Sequence, residues 1–115
     1  AQRAAIEIFR HPEILRQHRP HYQAQRDALL SALAEHGLAA IAPEGSFYCL
    51  IRLPEQWAHR SMEAALKVME DENVVTIPSG IFGVEGFLRV TFVASPEKLR
   101  EGIRRIRCAL SARTT

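Results

Sequence analysis

Apolar residues recur at helical spacing in several stretches of the chain. The first ten residues carry only a weak stripe, whereas the stretch that follows Pro12 and ends at Gly37 is more regular. Pro20 lies inside that stretch, so we expect its helix to break or bend there. Regular stripes predict amphipathic helices with core positions at Ala24, Ala28, Leu29, Ala32 and Leu33, at Met62, Ala65, Leu66 and Met69, and at Leu99, Ile103, Ile106 and Leu110.

Capping residues set the ends of these helices. Gly37 follows the second helix and is suited to the left-handed conformation that only glycine adopts cheaply. Ser61 and Ser95 are predicted N-caps of the two later helices, and Pro96 fits the first turn after Ser95. Four arginines lie off the apolar stripe of the last helix, and they predict a solvated face or, alternatively, a basic surface for a partner: Arg100, Arg104, Arg107 and Arg113.

The remaining apolar runs have the composition of β-strands. They cover residues 38–42, 46–53, 74–77 and 87–93, and proline or glycine bounds several of them. The run at 46–53 is apolar on both faces, which predicts a central strand with something packed on each face or with one face towards a partner. Helix, strand, strand, helix, strand, strand, helix is therefore the predicted order. It indicates an α+β fold, a small three- to four-stranded sheet with helices packed on one face.

One arginine interrupts the strand at 87–93. Alternation places Leu88, Val90 and Phe92 on one face and Phe87, Arg89, Thr91 and Val93 on the other. A guanidinium among apolar neighbours is costly to bury unless an anion meets it. Arg89 is thus a candidate receptor for a carboxylate or phosphate, because its planar fork donates two parallel hydrogen bonds. The alternative is an exposed arginine on a solvated sheet face.

Bulk properties exclude several classes of protein. The 115 residues, 47% of them hydrophobic and 24% charged, suit one globular domain, which we place at residues 1–115. A net charge of +2 without a basic run gives no support for nucleic-acid binding. No apolar run is long enough to span a membrane, and no signal peptide is apparent. Cys49 and Cys108 are most simply buried thiols, so we expect a cytoplasmic protein.

Five histidines could suggest a metal site. His18 and His21 are one helical turn apart, but Pro20 lies between them and no acid or cysteine completes a ligand set. We therefore interpret the histidines as surface residues and propose no metal.

The motifs of the chain, in their order, resemble a known family. They are Tyr22…Arg26-Asp27…Leu30…Leu33, Gly37, Pro43-Glu44-Gly45-Ser46-Phe47-Tyr48, Pro78…Phe82-Gly83, Gly86-Phe87-Leu88-Arg89-Val90 and the closing amphipathic helix. Together they resemble the C-terminal small domain of class I/II aminotransferases, pyridoxal-phosphate enzymes of fold type I, over essentially the whole chain.

The resemblance implies a role for Arg89. In that family the arginine of this strand binds the α-carboxylate of the amino-acid or 2-oxo-acid substrate through a bidentate salt bridge. The loop at 78–86 would lie beside the substrate entrance, where Phe82 either lines it or packs in the core. The resemblance also implies that the parent enzyme is a homodimer.

Two features depart from a complete enzyme of this kind. The family commonly has Pro-Gly-x-x-Phe-Gly, whereas this chain has Ser79 at the second position and Gly80 at the third, so Ser79 is expected to be strained or to use a different turn. A transaminase also needs a lysine that holds the cofactor as a Schiff base. Lys67 and Lys98 both lie in predicted amphipathic helices, so we expect the chain alone to bind no cofactor and to be inactive, with the large cofactor-binding domain absent.

Two other functions fit the same residues. Arg89 could bind an amino acid or a phosphate in a stand-alone regulatory module without catalysis. The strand at 47–53 and the N-terminal helix could instead form a dimer surface, or support self-association through surface that a missing domain normally covers.

Overall fold

The computed structural model describes residues 1–111 of the chain. Within them, four helices and four strands follow one another as α1, α2, β1, β2, α3, β3, β4 and α4. The helices are α1 Gln2–Arg10, α2 Glu13–Glu35, α3 Ser61–Glu72 and α4 Pro96–Ser111; the strands are β1 Ala40–Ile41, β2 Tyr48–Arg52, β3 Ile77–Pro78 and β4 Phe87–Thr91. Short 3₁₀ turns at Glu55–Trp57 and Ser79–Phe82 complete the described chain.

The strands form one antiparallel sheet in the order β1-β2-β4-β3. β2 is central, as its apolar composition predicts. Its register with β4 pairs Leu50 with Arg89 and Ile51 with Leu88. Because successive side chains of a strand point to opposite faces, Ile51 and Leu88 lie on one face of the sheet and Arg89 lies on the other.

One face of the sheet and three helices share a single core. Cys49, Ile51 and Leu88 supply the sheet side of this core. The helical side comprises Leu29, Ala32 and Leu33 of α2, Ala64, Ala65 and Val68 of α3, and Leu99, Ile103, Ile106, Ala109 and Leu110 of α4. The predicted α+β fold with helices on one face is confirmed, and within residues 1–111 these core helices leave the face that carries Arg89 uncovered.

Helix α2 differs from its prediction in two respects. It continues through Pro20 without interruption. Proline removes one backbone donor there, but residues 11–24 are all exposed, so water can satisfy the carbonyl that loses its partner. Gln25 is buried although the pattern puts it off the core face, and Ala24 is exposed. The Gln25 amide nitrogen donates to the Ala94 carbonyl at 3.0 Å, which satisfies the donor end of this side chain, whereas its buried Oε1 has no partner in residues 1–111.

The predicted core stripe of α3 is confirmed at Ala65 and wrong at its other three positions. Met62, Leu66 and Met69 are exposed, at 50%, 44% and 41%. The buried face instead consists of Ser61, Ala64, Ala65 and Val68. Small residues let α3 approach the sheet and α4 closely, whereas the larger side chains project outward. The methionines are therefore not core residues.

The other local predictions have mixed outcomes. Gly37 adopts a φ of 64°, as expected of a helix-terminating glycine, and the Ser95 hydroxyl accepts a hydrogen bond from the Lys98 amide at 3.3 Å, as expected of an N-cap. The stripe of α4 is confirmed, and Arg104 pairs with Glu101 on its exposed face. Arg113 lies outside the described residues. Cys49 is buried as predicted, but Cys108 is exposed, and the prediction for it was wrong.

Residues 1–111 contain neither a membrane-spanning helix nor a cluster of metal ligands. None of their helices combines the length and apolarity needed to cross a bilayer. No three of their histidine, cysteine and carboxylate side chains come close enough together to hold a metal ion.

Paired substitutions in α3 test which of its faces is buried. We expect Val68→Ala to lower the free energy of unfolding by about 2 kcal/mol, because it removes two methyl groups from a fully buried site. Leu66→Ala removes more atoms from an exposed site and should change it by less than about 0.5 kcal/mol. Urea titration measures both, and an equal or larger loss for Leu66→Ala would contradict the observed orientation.

Candidate substrate-binding site

Arg89 occupies the middle of the sheet. Its backbone pairs with Leu50 of β2 on one side and with Ile77 of β3 on the other. Strands on both sides fix the direction of its side chain, which leaves the face opposite the helical core and is half-buried. The predicted face of Arg89 is therefore confirmed, and a rigid element positions it.

Two aromatic rings contact the guanidinium. Its central carbon lies 4.2 Å from the centroid of the Tyr48 ring and 4.8 Å from that of Phe82. Tyr48 is a diagonal neighbour across the β2–β4 pair, since Tyr48 itself pairs with Thr91. Cations stack over aromatic faces through the ring quadrupole, at about 0.5–1 kcal/mol for exposed pairs. Stacking of this kind orients the guanidinium and consumes none of its N–H donors.

The N–H donors of Arg89 have no partner among residues 1–111. No carboxylate of that part of the chain forms an ion pair with it, and its side chain donates no hydrogen bond there. Aromatic contacts thus hold the guanidinium, and its N–H groups remain available for hydrogen bonds. A planar anion that approaches along its edge can accept two parallel hydrogen bonds.

A second arginine on the same face provides a comparison. Arg52 ends β2, and its guanidinium carbon lies 5.1 Å from the centroid of the Phe87 ring. Unlike Arg89, Arg52 is exposed and contacts a single ring. Both arginines therefore lie on the same face of the sheet, but of the two only Arg89 is half-buried and contacted by two rings.

Ser79 shows no strain. It is absent from the residues of positive φ and begins the 3₁₀ turn Ser79–Phe82, which ends at Gly83 with a φ of 83°. Its buried hydroxyl accepts a hydrogen bond from the Phe87 amide at 3.0 Å, which connects the loop to the first residue of β4. Serine is accommodated because position 79 does not adopt a positive φ, so the strain considered from the sequence is not observed.

A group of three residues attaches the 78–86 loop to the start of α3, and we call it the Ser61 clasp. The Ser61 hydroxyl accepts from the Gly80 amide at 3.0 Å, and the Ser61 amide donates to Glu85 Oε2 at 3.0 Å. A Cβ on Gly80 would collide with the Glu85 carboxylate and lie 2.9 Å from Ser61 Oγ, so a side chain at position 80 would displace the carboxylate from this arrangement.

The sequence prediction missed this group. Ser61 was expected to cap α3, but it is the first helical residue, fully buried, and the capping position is Arg60. Glu85 supplies an acceptor for the Ser61 amide, one of the first-turn amides that have no partner within the helix. The only signal in the sequence is a lone acid between glycines, which could not identify a partner 24 residues away.

Hydrogen bonding determines the ionisation of Glu85. The Ser61 hydroxyl and amide are the main causes that lower the pKa of the Glu85 carboxyl from its ordinary 4.5, with smaller help from the Gly86 amide and the charge of His59. Partial desolvation opposes the shift but does not cancel it. The clasp therefore contains a carboxylate at neutral pH.

No described lysine is suited to hold an aldehyde cofactor. Lys67 Nζ binds the Asp71 carboxylate at 2.6 Å on the surface of α3. Lys98 is exposed in the first turn of α4. Neither shares a face with Arg89, so the residues of this chain do not fit a Schiff-base site.

The fold and the sequence together identify the family. The model of the family described as aminotransferase class I and II matches residues 1–106, and the chain belongs to this family. The resemblance inferred from the motifs is thereby confirmed.

Individual relatives agree with that assignment. The chain is 31% identical to a probable aspartate/prephenate aminotransferase of Aquifex aeolicus, over 96% of its own length and 29% of the relative's. It is 32% identical to an LL-diaminopimelate aminotransferase of Oleidesulfovibrio alaskensis, over 91% of its length and 27% of the relative's. It therefore spans less than a third of these relatives.

Solved structures show the same fold. The aspartate aminotransferase of Thermus thermophilus with maleate superposes with a TM-score of 0.74 at 30% identity, covering 86% of this chain and 25% of that one. An aromatic aminotransferase of Pyrococcus horikoshii also gives 0.74, at 26% identity over 85% of this chain and 26% of that chain. The partial coverage agrees with a small domain of a larger enzyme.

The pKa of Glu85 leads to a pH prediction. Because this pKa is lower in the folded chain than in the unfolded one, the clasp contributes fully above pH 4.5 and is lost as the pH falls through the lowered value. We expect the NMR signals of the Ser61 and Gly80 amides to stay constant between pH 7 and 5 and to shift only at lower pH. A midpoint at or above 4.5 would contradict the assigned hydrogen bonds.

Proposed function

We propose that this chain is the small domain of a pyridoxal-phosphate-dependent aminotransferase and that Arg89 binds the α-carboxylate of the substrate. The observation that carries the proposal is a half-buried guanidinium with unused donors on the open face of the sheet. Family membership supports the reaction type, transfer of an amino group between an amino acid and a 2-oxo acid.

The chemistry of a carboxylate suits this environment. Its two oxygens match the spacing of the guanidinium fork, and charge-assisted bonds of this kind are about twice as strong as neutral ones. Tyr48 and Phe82 contact the guanidinium and limit its hydration, which strengthens the attraction for an incoming anion. Arg89 would thus fix one end of the substrate while the amino or oxo carbon points towards the reaction centre.

The cofactor would belong to the rest of the enzyme. Pyridoxal phosphate supplies the electron sink of transamination, but Lys67 is paired with Asp71 on α3 and Lys98 is an exposed residue in the first turn of α4. We therefore place the Schiff-base lysine and the phosphate site in a large domain upstream of Ala1, and propose that residues 1–115 form one domain that is inactive alone.

The remaining expectations follow from the same assignment. The family resemblance implies a homodimeric parent. The apolar side chains exposed on α1, such as Ile6 and Phe9, support the proposal that another part of that dimer covers this helix. The two free cysteines, Cys49 and Cys108, support a cytoplasmic location.

Substitution of Arg89 in the complete enzyme is the direct test. We expect Arg89→Ala to lower kcat/KM by about 100-fold or more, because two charge-assisted hydrogen bonds to the substrate are lost. Arg89→Lys should fall in between, since it keeps the charge but loses the fork. Arg52→Ala is the matched control on the same sheet face and should change kcat/KM by less than about threefold. Equal effects at Arg52 and Arg89 would refute the assignment.

The isolated chain separates this function from that of a stand-alone module. A domain that supplies only part of a substrate site should bind amino acids weakly, with a Kd above about 1 mM, because most of the contacts are missing. Calorimetric titration of the 115-residue chain measures this. Saturable micromolar binding that disappears in Arg89→Ala would instead indicate a regulatory binding module.

A further inference from the structure

The loop at 78–86 carries exposed apolar side chains on a short, glycine-containing backbone. Ile81, Phe82 and Val84 are 57%, 55% and 59% exposed. Gly83 and Gly86 both have positive φ, and they allow the chain to reverse direction on either side of Val84. The side chains at the tip of the loop are mostly exposed and contribute little packing. The position of the tip therefore depends on how the two ends of the loop are attached.

Side-chain hydrogen bonds attach the loop at both ends. Ser79 binds the first amide of β4, and the Ser61 clasp joins Gly80 and Glu85 to the start of α3. Gly80 and Glu85 flank the segment that contains Phe82, so the clasp closes that segment across Ser61. Glu85 is the one ionised member of the clasp, and hydrogen bonds to a charged acceptor are the stronger kind.

Phe82 needs such a constraint because its own contact is weak. Its ring lies over the Arg89 guanidinium at 4.8 Å, and one cation–π contact at an exposed site cannot order a whole loop. Tyr48, by contrast, is fixed by β2 itself. Of the two rings on Arg89, only the Phe82 ring depends on loop geometry.

We propose that Glu85 is a positioning residue that keeps Phe82 over Arg89 through the Ser61 clasp, and so tunes the affinity of Arg89 for carboxylates. The inference rests on the proposed function of Arg89 and adds that Glu85 controls the position of one of the two rings that contact Arg89. Glu85 contacts no substrate in this account. It acts by holding the loop, which keeps the guanidinium partly desolvated and restricts its rotamers.

The test uses NMR on the 115-residue chain, with maleate as a planar carboxylate probe. In Glu85→Gln we expect faster exchange of the Gly80 and Ser61 amide protons and loss of the ring-current shift that Phe82 imposes on the Arg89 side-chain signals. The maleate Kd measured at those signals should rise about three- to fivefold. Glu44→Gln, an exposed glutamate outside the clasp, is the control and should change none of the three.

A second variant tests whether Glu85 acts through Phe82. Phe82→Leu should raise the maleate Kd by the same three- to fivefold while the exchange of the Gly80 amide stays slow. The double variant should bind no more weakly than Phe82→Leu, because the two substitutions interrupt one pathway. Additive losses would overturn the proposal, as would unchanged binding in Glu85→Gln despite a released loop.

The two proposals fail in different ways. If Arg89→Ala abolishes the maleate response but Glu85→Gln leaves it unchanged, Arg89 keeps its function and Glu85 is only structural. If Arg89→Ala binds maleate as the unmodified chain does, the function proposed for Arg89 falls, whatever Glu85 does to the loop.

Discussion

The contact between one guanidinium and two aromatic rings is the constraint on which the site depends. An arginine in the middle of a sheet must keep its charge solvated, pair it with an acid or present it to a ligand. In residues 1–111, Arg89 has no acidic partner, and Tyr48 and Phe82 contact it instead. The contact holds the cation while its hydrogen-bonding edge remains available, which is the state that a carboxylate receptor requires.

The architecture explains how this state is maintained. All helices that pack on the sheet contribute to the core on one side, so Leu88 is fully buried and Arg89, the next residue, faces away. β4 pairs with β2 on one side and with β3 on the other, and this pairing fixes the face on which the Arg89 side chain lies. Since the face that carries Arg89 is not covered by these helices, it can receive a ligand or a neighbouring domain.

The sequence predicted those features that follow from strong periodicity. The α4 stripe and the alternation along β4 are regular, and both were confirmed, as was the face of Arg89. The α3 prediction held at Ala65 and failed at the large apolar residues Met62, Leu66 and Met69, which are exposed. That helix also buries the small residues Ser61 and Ala64, which a pattern of large apolar side chains does not single out. Ser61 was misplaced for a different reason: its hydrogen bonds reach residues 19 and 24 positions away, and no local pattern encodes them.

A structure of the full-length protein with maleate bound tests the central claim most directly. The account predicts two nearly parallel hydrogen bonds of about 2.7–2.9 Å from the Arg89 guanidinium to one carboxylate, with the Tyr48 and Phe82 rings still in contact with it. A maleate bound elsewhere, with Arg89 paired to an acid of the protein, would contradict the account.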